Sequence, residues 1–124
     1  MTAILYVCQT CKAGEVHEDP DQRPGARLHA ALSVMTLPDD VQVVGVECLS
    51  ACSNGAAVAL SAPGKWTYVY GRMTLADAPD ILEGAAKYAG SADGIVPWRE
   101  RPEQFRKQSL ARIPPFKMPL EAAE

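Results

Sequence analysis

The chain has 124 residues, 48% of them hydrophobic and 22% charged, and a net charge of −3 at pH 7. This composition is typical of one globular domain, and no stretch approaches the roughly 18 consecutive apolar residues that a membrane-spanning helix requires. Residues 1–94 carry a net charge of −5 and residues 95–124 one of +2. The acidic body argues against nucleic-acid binding, which relies on neutralising phosphates, so we expect neither a nucleic-acid nor a membrane partner.

The first half of the chain has the pattern of two strands joined by a helix. Residues 3–8 are a short apolar run without a helical period, which predicts a buried strand. From Pro24, apolar side chains recur at i, i+4 and i+7, as in a helix, and Pro38 ends that helix. Residues 41–47 predict a second strand. Because strand–helix–strand crossovers are right-handed, the two strands should be parallel.

The following residues predict a hairpin and a second helix. Val58–Ser61 and Trp66–Tyr70 have strand composition, and a Pro-Gly turn separates them. A start like that of a capping box at Thr74 opens a helix with one apolar face, and Gly90 ends it. The predicted fold is therefore α/β, with the order β-α-β-β-β-α and a mixed sheet flanked by two helices.

The last part of the chain differs in kind from the rest. Residues 95–124 contain five prolines, which exclude long regular structure, although 103–112 could hold a short helix. Large apolar side chains, too many for a free linker, stand at Trp98, Phe105, Ile113 and Phe116. We therefore divide the chain into a domain, residues 1–94, and an extended Pro-rich C-terminal arm, residues 95–124. The arm is expected to pack on this domain or on a second subunit of a homodimer.

The four cysteines form two pairs, and each pair follows a predicted strand. They are Cys8, Cys11, Cys48 and Cys52. Strand ends that lie side by side in a sheet can bring four thiolates to one point. The first apolar run begins almost at residue 1 with no export signal ahead of it, so we expect a cytoplasmic, reducing location. Closely spaced cysteines there are more often metal-binding or catalytic than disulfide-bonded.

Three chemistries compete for these cysteines. A [2Fe–2S] cluster takes two thiolates at each iron, so two pairs from two chain segments meet its requirement directly. Structural zinc also takes four thiolates, but usually from two short knuckles in a turn-dominated fold, whereas a whole helix separates these pairs. A redox dithiol at Cys8 and Cys11 would need a helix N-terminus and would leave the second pair without a role. The cluster is favoured, and zinc and the dithiol remain alternatives.

A family resemblance adds to this reasoning. Several segments resemble the thioredoxin-like [2Fe–2S] ferredoxins: the Cys-x3-Cys pair with its following glycine (Cys48–Gly55), the hairpin segment Pro63–Tyr68, Met73-Thr74, and Asp80–Glu83 in the following helix. The related subunit of respiratory complex I shares this pattern. The resemblance covers about residues 3–90. It implies a thioredoxin-like fold, one-electron transfer to redox partner proteins, and a [2Fe–2S] cluster held by Cys8, Cys11, Cys48 and Cys52.

The arm resembles a second group of proteins. Pro97–Pro102 and Ala111–Pro115 are similar to a family of small bacterial predicted metal-binding proteins of unknown function, often associated with cobalamin and cobalt metabolism. No nucleophile–base pair is evident, so we do not expect an enzyme with its own substrate. We expect a ferredoxin that delivers single electrons to a reductase or a metal-handling enzyme. The alternative is a non-redox zinc-binding or metal-transfer module that uses the same four cysteines.

Overall fold

A computed structural model shows how these elements are arranged, and it describes residues 3–9, 23–46 and 56–115. The helices and strands are β1 (Ala3–Cys8), α1 (Pro24–Val34), β2 (Val41–Val46), β3 (Val58–Ser61), β4 (Thr67–Tyr70), α2 (Ala78–Gly90), α3 (Glu103–Lys107) and β5 (Ser109–Ile113). Short 3₁₀ turns at Leu75–Asp77 and Trp98–Glu100 precede α2 and α3. The predicted order β-α-β-β-β-α is confirmed.

The strands of the described residues form one five-stranded mixed sheet in the order β2-β1-β3-β4-β5. β1 and β2 are parallel, as the crossover rule predicts, and Cys8 lies opposite Val46. All other neighbouring strands are antiparallel. As a result β1, β2 and β4 end, and β3 and β5 begin, at the same end of the sheet. We call this the cysteine end, because Cys8 lies there.

The hydrophobic core lies between one face of the sheet and the two main helices. α1 and α2 contact each other, and both contact β1 and β2. The largest fully buried side chains are Leu5, Val7, Leu28, Leu32, Val58, Leu60, Ile81 and Tyr88. They alternate along the strands and recur every three or four residues along the helices, as burial of one face requires. None of the helices in the described ranges is both long and apolar enough to cross a bilayer.

Hydrogen bonds fasten both ends of α2. In the 3₁₀ turn that leads into it, the backbone N–H of Thr74 donates to Asp77 Oδ2 (2.8 Å), which confirms the predicted capping box. At its end Lys65 Nζ donates to the carbonyl oxygen of Ala89 (2.6 Å), a group without a partner inside the helix. The Tyr88 hydroxyl donates to Trp66 O (2.6 Å). Burial raises the pKa of Tyr88 to about 12, so the phenol keeps the proton that this bond needs.

The turn after α2 tolerates only glycine at Gly94. Its φ is +85°, and a Cβ there would lie 2.8 Å from Tyr88 Cε2 and 3.0 Å from Trp66 O. We expect Gly94→Ala to lower the free energy of unfolding by about 2–4 kcal/mol, from backbone strain and overpacking together. The matched control is Gly64→Ala, since Gly64 has a φ of +74° and open space around its Cα. Gly64→Ala should lower the free energy of unfolding only through backbone strain, by about 1–2 kcal/mol. Urea denaturation measures both, and equal losses would contradict the packing argument.

In its described part, the C-terminal arm joins the sheet. β5 pairs antiparallel with β4, with Thr67 opposite Ile113. The sequence does not predict this strand, because every residue of β5 is exposed and the apolar–polar alternation of a half-buried strand is absent. The prolines of the arm's described part lie outside Ser109–Ile113, so they do not interrupt the strand. The short helix expected within 103–112 is α3.

Phe105 attaches α3 to the body of the protein. Its side chain is 3% exposed, and its ring stacks on Tyr70 with 4.0 Å between the ring centroids. The ring also occupies the space that a Cβ of Gly84 would need. A cavity of about 10 Å³ remains beneath the arm, room for about one water molecule. The described arm is therefore part of the common core, while the boundary at residue 94 stays a prediction.

Candidate functional site

Cys8 is the predicted ligand that the described residues include. It is the last residue of β1, and its side chain is 2% exposed. Its backbone N–H donates to the carbonyl oxygen of Ala57 (3.1 Å), which precedes β3. The other three predicted ligands, Cys11, Cys48 and Cys52, lie outside the described residues.

The described residues that flank the second cysteine pair converge on the cysteine end. Val46, two residues before Cys48, is the strand partner of Cys8. Ala56, four residues after Cys52, leads into β3 on the other side of β1. The described neighbours of the second cysteine pair, Val46 and Ala56, therefore lie at the same end of the sheet as Cys8. A donor set of four thiols fits a [2Fe–2S] cluster.

Gln9, the residue after Cys8, is held from two directions. Its backbone N–H donates to Val46 O (2.8 Å), which extends the pairing of β1 with β2 by one residue. Its side-chain Nε2 donates to Nδ1 of His29 on α1 (3.1 Å). The same side chain fills the space that a Cβ of Gly45 would occupy. The chain therefore leaves Cys8 along a defined path across the end of β2.

Residues 71–73, which we call the 71–73 loop, lie on the other side of the cysteine end. Met73 is 3% exposed, and its backbone N–H donates to Ala56 O (3.0 Å). Gln108 Nε2, from the arm, donates to the carbonyl oxygens of Gly71 and Arg72, at 2.8 Å each. The loop thus connects the arm to the residues that follow the second cysteine pair.

Buried side chains at this end stand beside the charged side chains of Arg72 and Arg101. Tyr70 ends β4 here and is 3% exposed. Burial raises the pKa of Tyr70 well above its usual value of about 10, although the charge of Arg101 opposes the shift. The phenol is therefore neutral at physiological pH. Across the described ranges, no group of three or more His, Cys, Asp or Glu side chains could hold a metal ion, so Cys8 is the candidate ligand that these ranges contribute.

Sequence reasoning missed three groups that make contacts at the cysteine end: Gln9, His29 and Gln108. Of their contacts, only the one at Gly45 could be expected from the sequence, because a glycine inside a strand often marks the close approach of another group. Here that group is the Gln9 amide. Gln108 leaves no local pattern, since its carbonyl partners lie 36 and 37 residues away in the chain.

Comparisons with known proteins bear on family and fold. Residues 5–115 match the family described as "Protein of unknown function (DUF1636)". Among proteins with curated descriptions, none matches the sequence. A solved structure, of a thioredoxin-like [2Fe–2S] ferredoxin from Aquifex aeolicus, superposes with a TM-score of 0.58 at 19% identity, over 94% of this chain and 98% of that one. The predicted thioredoxin-like fold is thereby confirmed, and coverage of this extent includes part of the arm.

Proposed function

Because this chain belongs to the DUF1636 family, whose description assigns no function, we propose a function from the site itself. The protein holds a [2Fe–2S] cluster at Cys8, Cys11, Cys48 and Cys52 and carries single electrons. The observation that carries the proposal is the position of Cys8. It ends a buried strand directly beside β2, whose last residue precedes Cys48 by two positions. A fold shared with a [2Fe–2S] ferredoxin supports the same conclusion.

The described residues would serve such a cluster in distinct ways. When bound, the cluster supplies one-electron redox chemistry at iron. Cys8 offers a thiolate from the end of a rigid strand, and its burial keeps water away from that sulfur. The backbone N–H of Cys8 is already bonded to Ala57 O, so Cys8 itself stays in a fixed position. Gln9, fastened to Val46 and His29, fixes the chain directly after Cys8.

The electrons pass to a protein partner in this proposal, a reductase or a metal-handling enzyme, and the chain has no substrate of its own. The charge of −5 on residues 1–94 supports this view, because an acidic body attracts a basic partner surface. The cytoplasmic location, the homodimer and the link to cobalamin and cobalt metabolism stay predictions from the sequence.

Anaerobic purification tests the proposal directly. We expect a red-brown protein that contains iron and acid-labile sulfide in equal amounts, about two of each per chain. Reduction with dithionite should bleach the visible absorption and produce the electron paramagnetic resonance signal of one unpaired electron. A colourless protein with one zinc per chain would overturn the proposal and favour the zinc-binding or metal-transfer module.

A further inference from the structure

We propose that the C-terminal arm influences the cluster proposed at the cysteine end, through one positioning residue, Gln108. This inference rests on the proposed function. Gln108 holds the 71–73 loop in place, and the loop in turn is hydrogen-bonded to Ala56, the neighbour of the residue that binds the backbone of Cys8. The arm would therefore tune the cluster without supplying a ligand to it.

Gln108 binds all three residues of the loop. Its side-chain Nε2 donates to Gly71 O and Arg72 O, at 2.8 Å each, and lies 3.9 Å from Met73 Sδ. Its own carbonyl oxygen accepts a hydrogen bond from the backbone N–H of Gly71 (3.0 Å). One residue of the arm thus fixes the loop through both its side chain and its backbone.

The conformation of the loop requires such support. Arg72 has a φ of +55°, in the left-handed region that favours glycine. A residue with a side chain is strained in this region, and such strain persists only where the surroundings hold it. The carbonyl oxygen of Arg72 is one of the two that Gln108 binds. Loss of the amide donor should therefore release the loop.

The loop is connected to the predicted ligands through two consecutive residues. Ala56 accepts a hydrogen bond from the backbone N–H of Met73 (3.0 Å), and Ala57 accepts one from that of Cys8 (3.1 Å). Both alanines are at most 1% exposed. Cys52 precedes Ala56 by four residues. Movement of the loop would therefore change the backbone support and the water access of the cysteine end.

The chain offers a matched control in Gln104. It lies four residues earlier on the same arm, and its side chain is half-buried like that of Gln108. Its Nε2 also makes two hydrogen bonds, to Asp77 Oδ1 (2.9 Å) and Asp80 Oδ2 (3.0 Å). These bonds fasten the arm to the start of α2 and involve no residue of the 71–73 loop, although Asp77 also binds the backbone N–H of Thr74, the residue after the loop. Loss of the Gln104 amide should weaken the attachment of the arm to α2 without affecting the cysteine end.

Hydrogen exchange tests the first half of the inference. Gln108→Met keeps the length of the side chain and removes the donor, and Gln104→Met does the same at the control position. By mass spectrometry of the full chain, we expect the backbone amides of the 71–73 loop to exchange about tenfold faster in Gln108→Met. That factor corresponds to about 1.4 kcal/mol, the scale of one net hydrogen bond. Gln104→Met should keep the wild-type rate in this loop.

The reduction potential tests the second half. Water that reaches the cluster stabilises its reduced form, which carries one more negative charge, so we expect the potential to rise in Gln108→Met. Gln104→Met should keep the wild-type potential. Equal exchange in both variants, or faster exchange without a change of potential, would overturn the inference. Should Gln108→Met not accumulate, Gln108→Asn, whose amide ends one methylene short of the carbonyls, gives the same comparison. A chain that binds no iron defeats the proposed function instead, and the exchange experiment still reports on the loop.

Discussion

Replacement of Cys8 by serine is expected to abolish iron binding by this chain. Cys8 is 2% exposed at the end of β1, so another side chain from solvent cannot readily take its place. A serine hydroxyl keeps its proton near neutral pH and is a poorer ligand for a cluster that thiolates hold. We expect the iron content to fall from about two atoms per chain to nearly none. Colorimetric iron and sulfide determinations, together with the visible spectrum, measure the loss.

The control for this substitution is Ala57→Ser. Ala57 is 1% exposed and accepts the hydrogen bond of the Cys8 backbone. The control places a buried hydroxyl at the same end of the sheet but leaves all four thiols, so iron should remain. A Cys8→Ser protein with full iron content would remove Cys8 from the ligand set. Cys11→Ser applies the same test to the second predicted ligand, and an unchanged spectrum would exclude Cys11.

Truncation of Phe105 to alanine is expected to lower the free energy of unfolding by about 3–5 kcal/mol, the usual range for a buried phenylalanine. The ring is 3% exposed, stacks on Tyr70 and fills the space above Gly84. Its removal would leave a cavity between the arm and α2 that backbone movement alone cannot close. Urea denaturation of the full chain, followed by circular dichroism, gives the difference.

Trp98→Ala provides the comparison on the same arm. Trp98 is larger than Phe105 but 58% exposed, and the guanidinium of Arg101 lies 5.6 Å from its ring centroid. We expect a loss of about 1 kcal/mol or less, since an exposed aromatic side chain contributes little beyond this contact. If Phe105→Ala were as mild as Trp98→Ala, the arm would not be part of the core.

Most of the body could be predicted because its elements bury one face. The strand at residues 3–8, the helix that begins at Pro24 and the hairpin around Gly64 all appear where the sequence indicates them. Apolar residues repeat with the period of the element that buries them, and this period can be read without a structure. The right-handed crossover then determines that β1 and β2 are parallel, and so places Cys8 and Val46 side by side.

The position of the arm could not be predicted in the same way, for a physical reason. β5 is an exposed edge strand, and its stability comes from backbone hydrogen bonds to β4, which any residue except proline can make. Phe105 signals that the arm is buried somewhere, but its sequence contains no information on which surface receives it. The receiving site combines Gly84 and Tyr70, which belong to two different elements.

By itself the sequence determined the succession of strands and helices, the α/β class of fold and the four cysteines proposed as ligands, because periodicity and residue chemistry are local properties. Only the tertiary structure decided that β5 completes the sheet, that Gln9 lies between Gly45 and His29, and that Gln108 binds the 71–73 loop. These contacts join residues that lie 20 or more positions apart. When a side chain bonds to a distant backbone carbonyl, the residues next to it in the sequence do not indicate that bond, so its partner is known only from the folded structure.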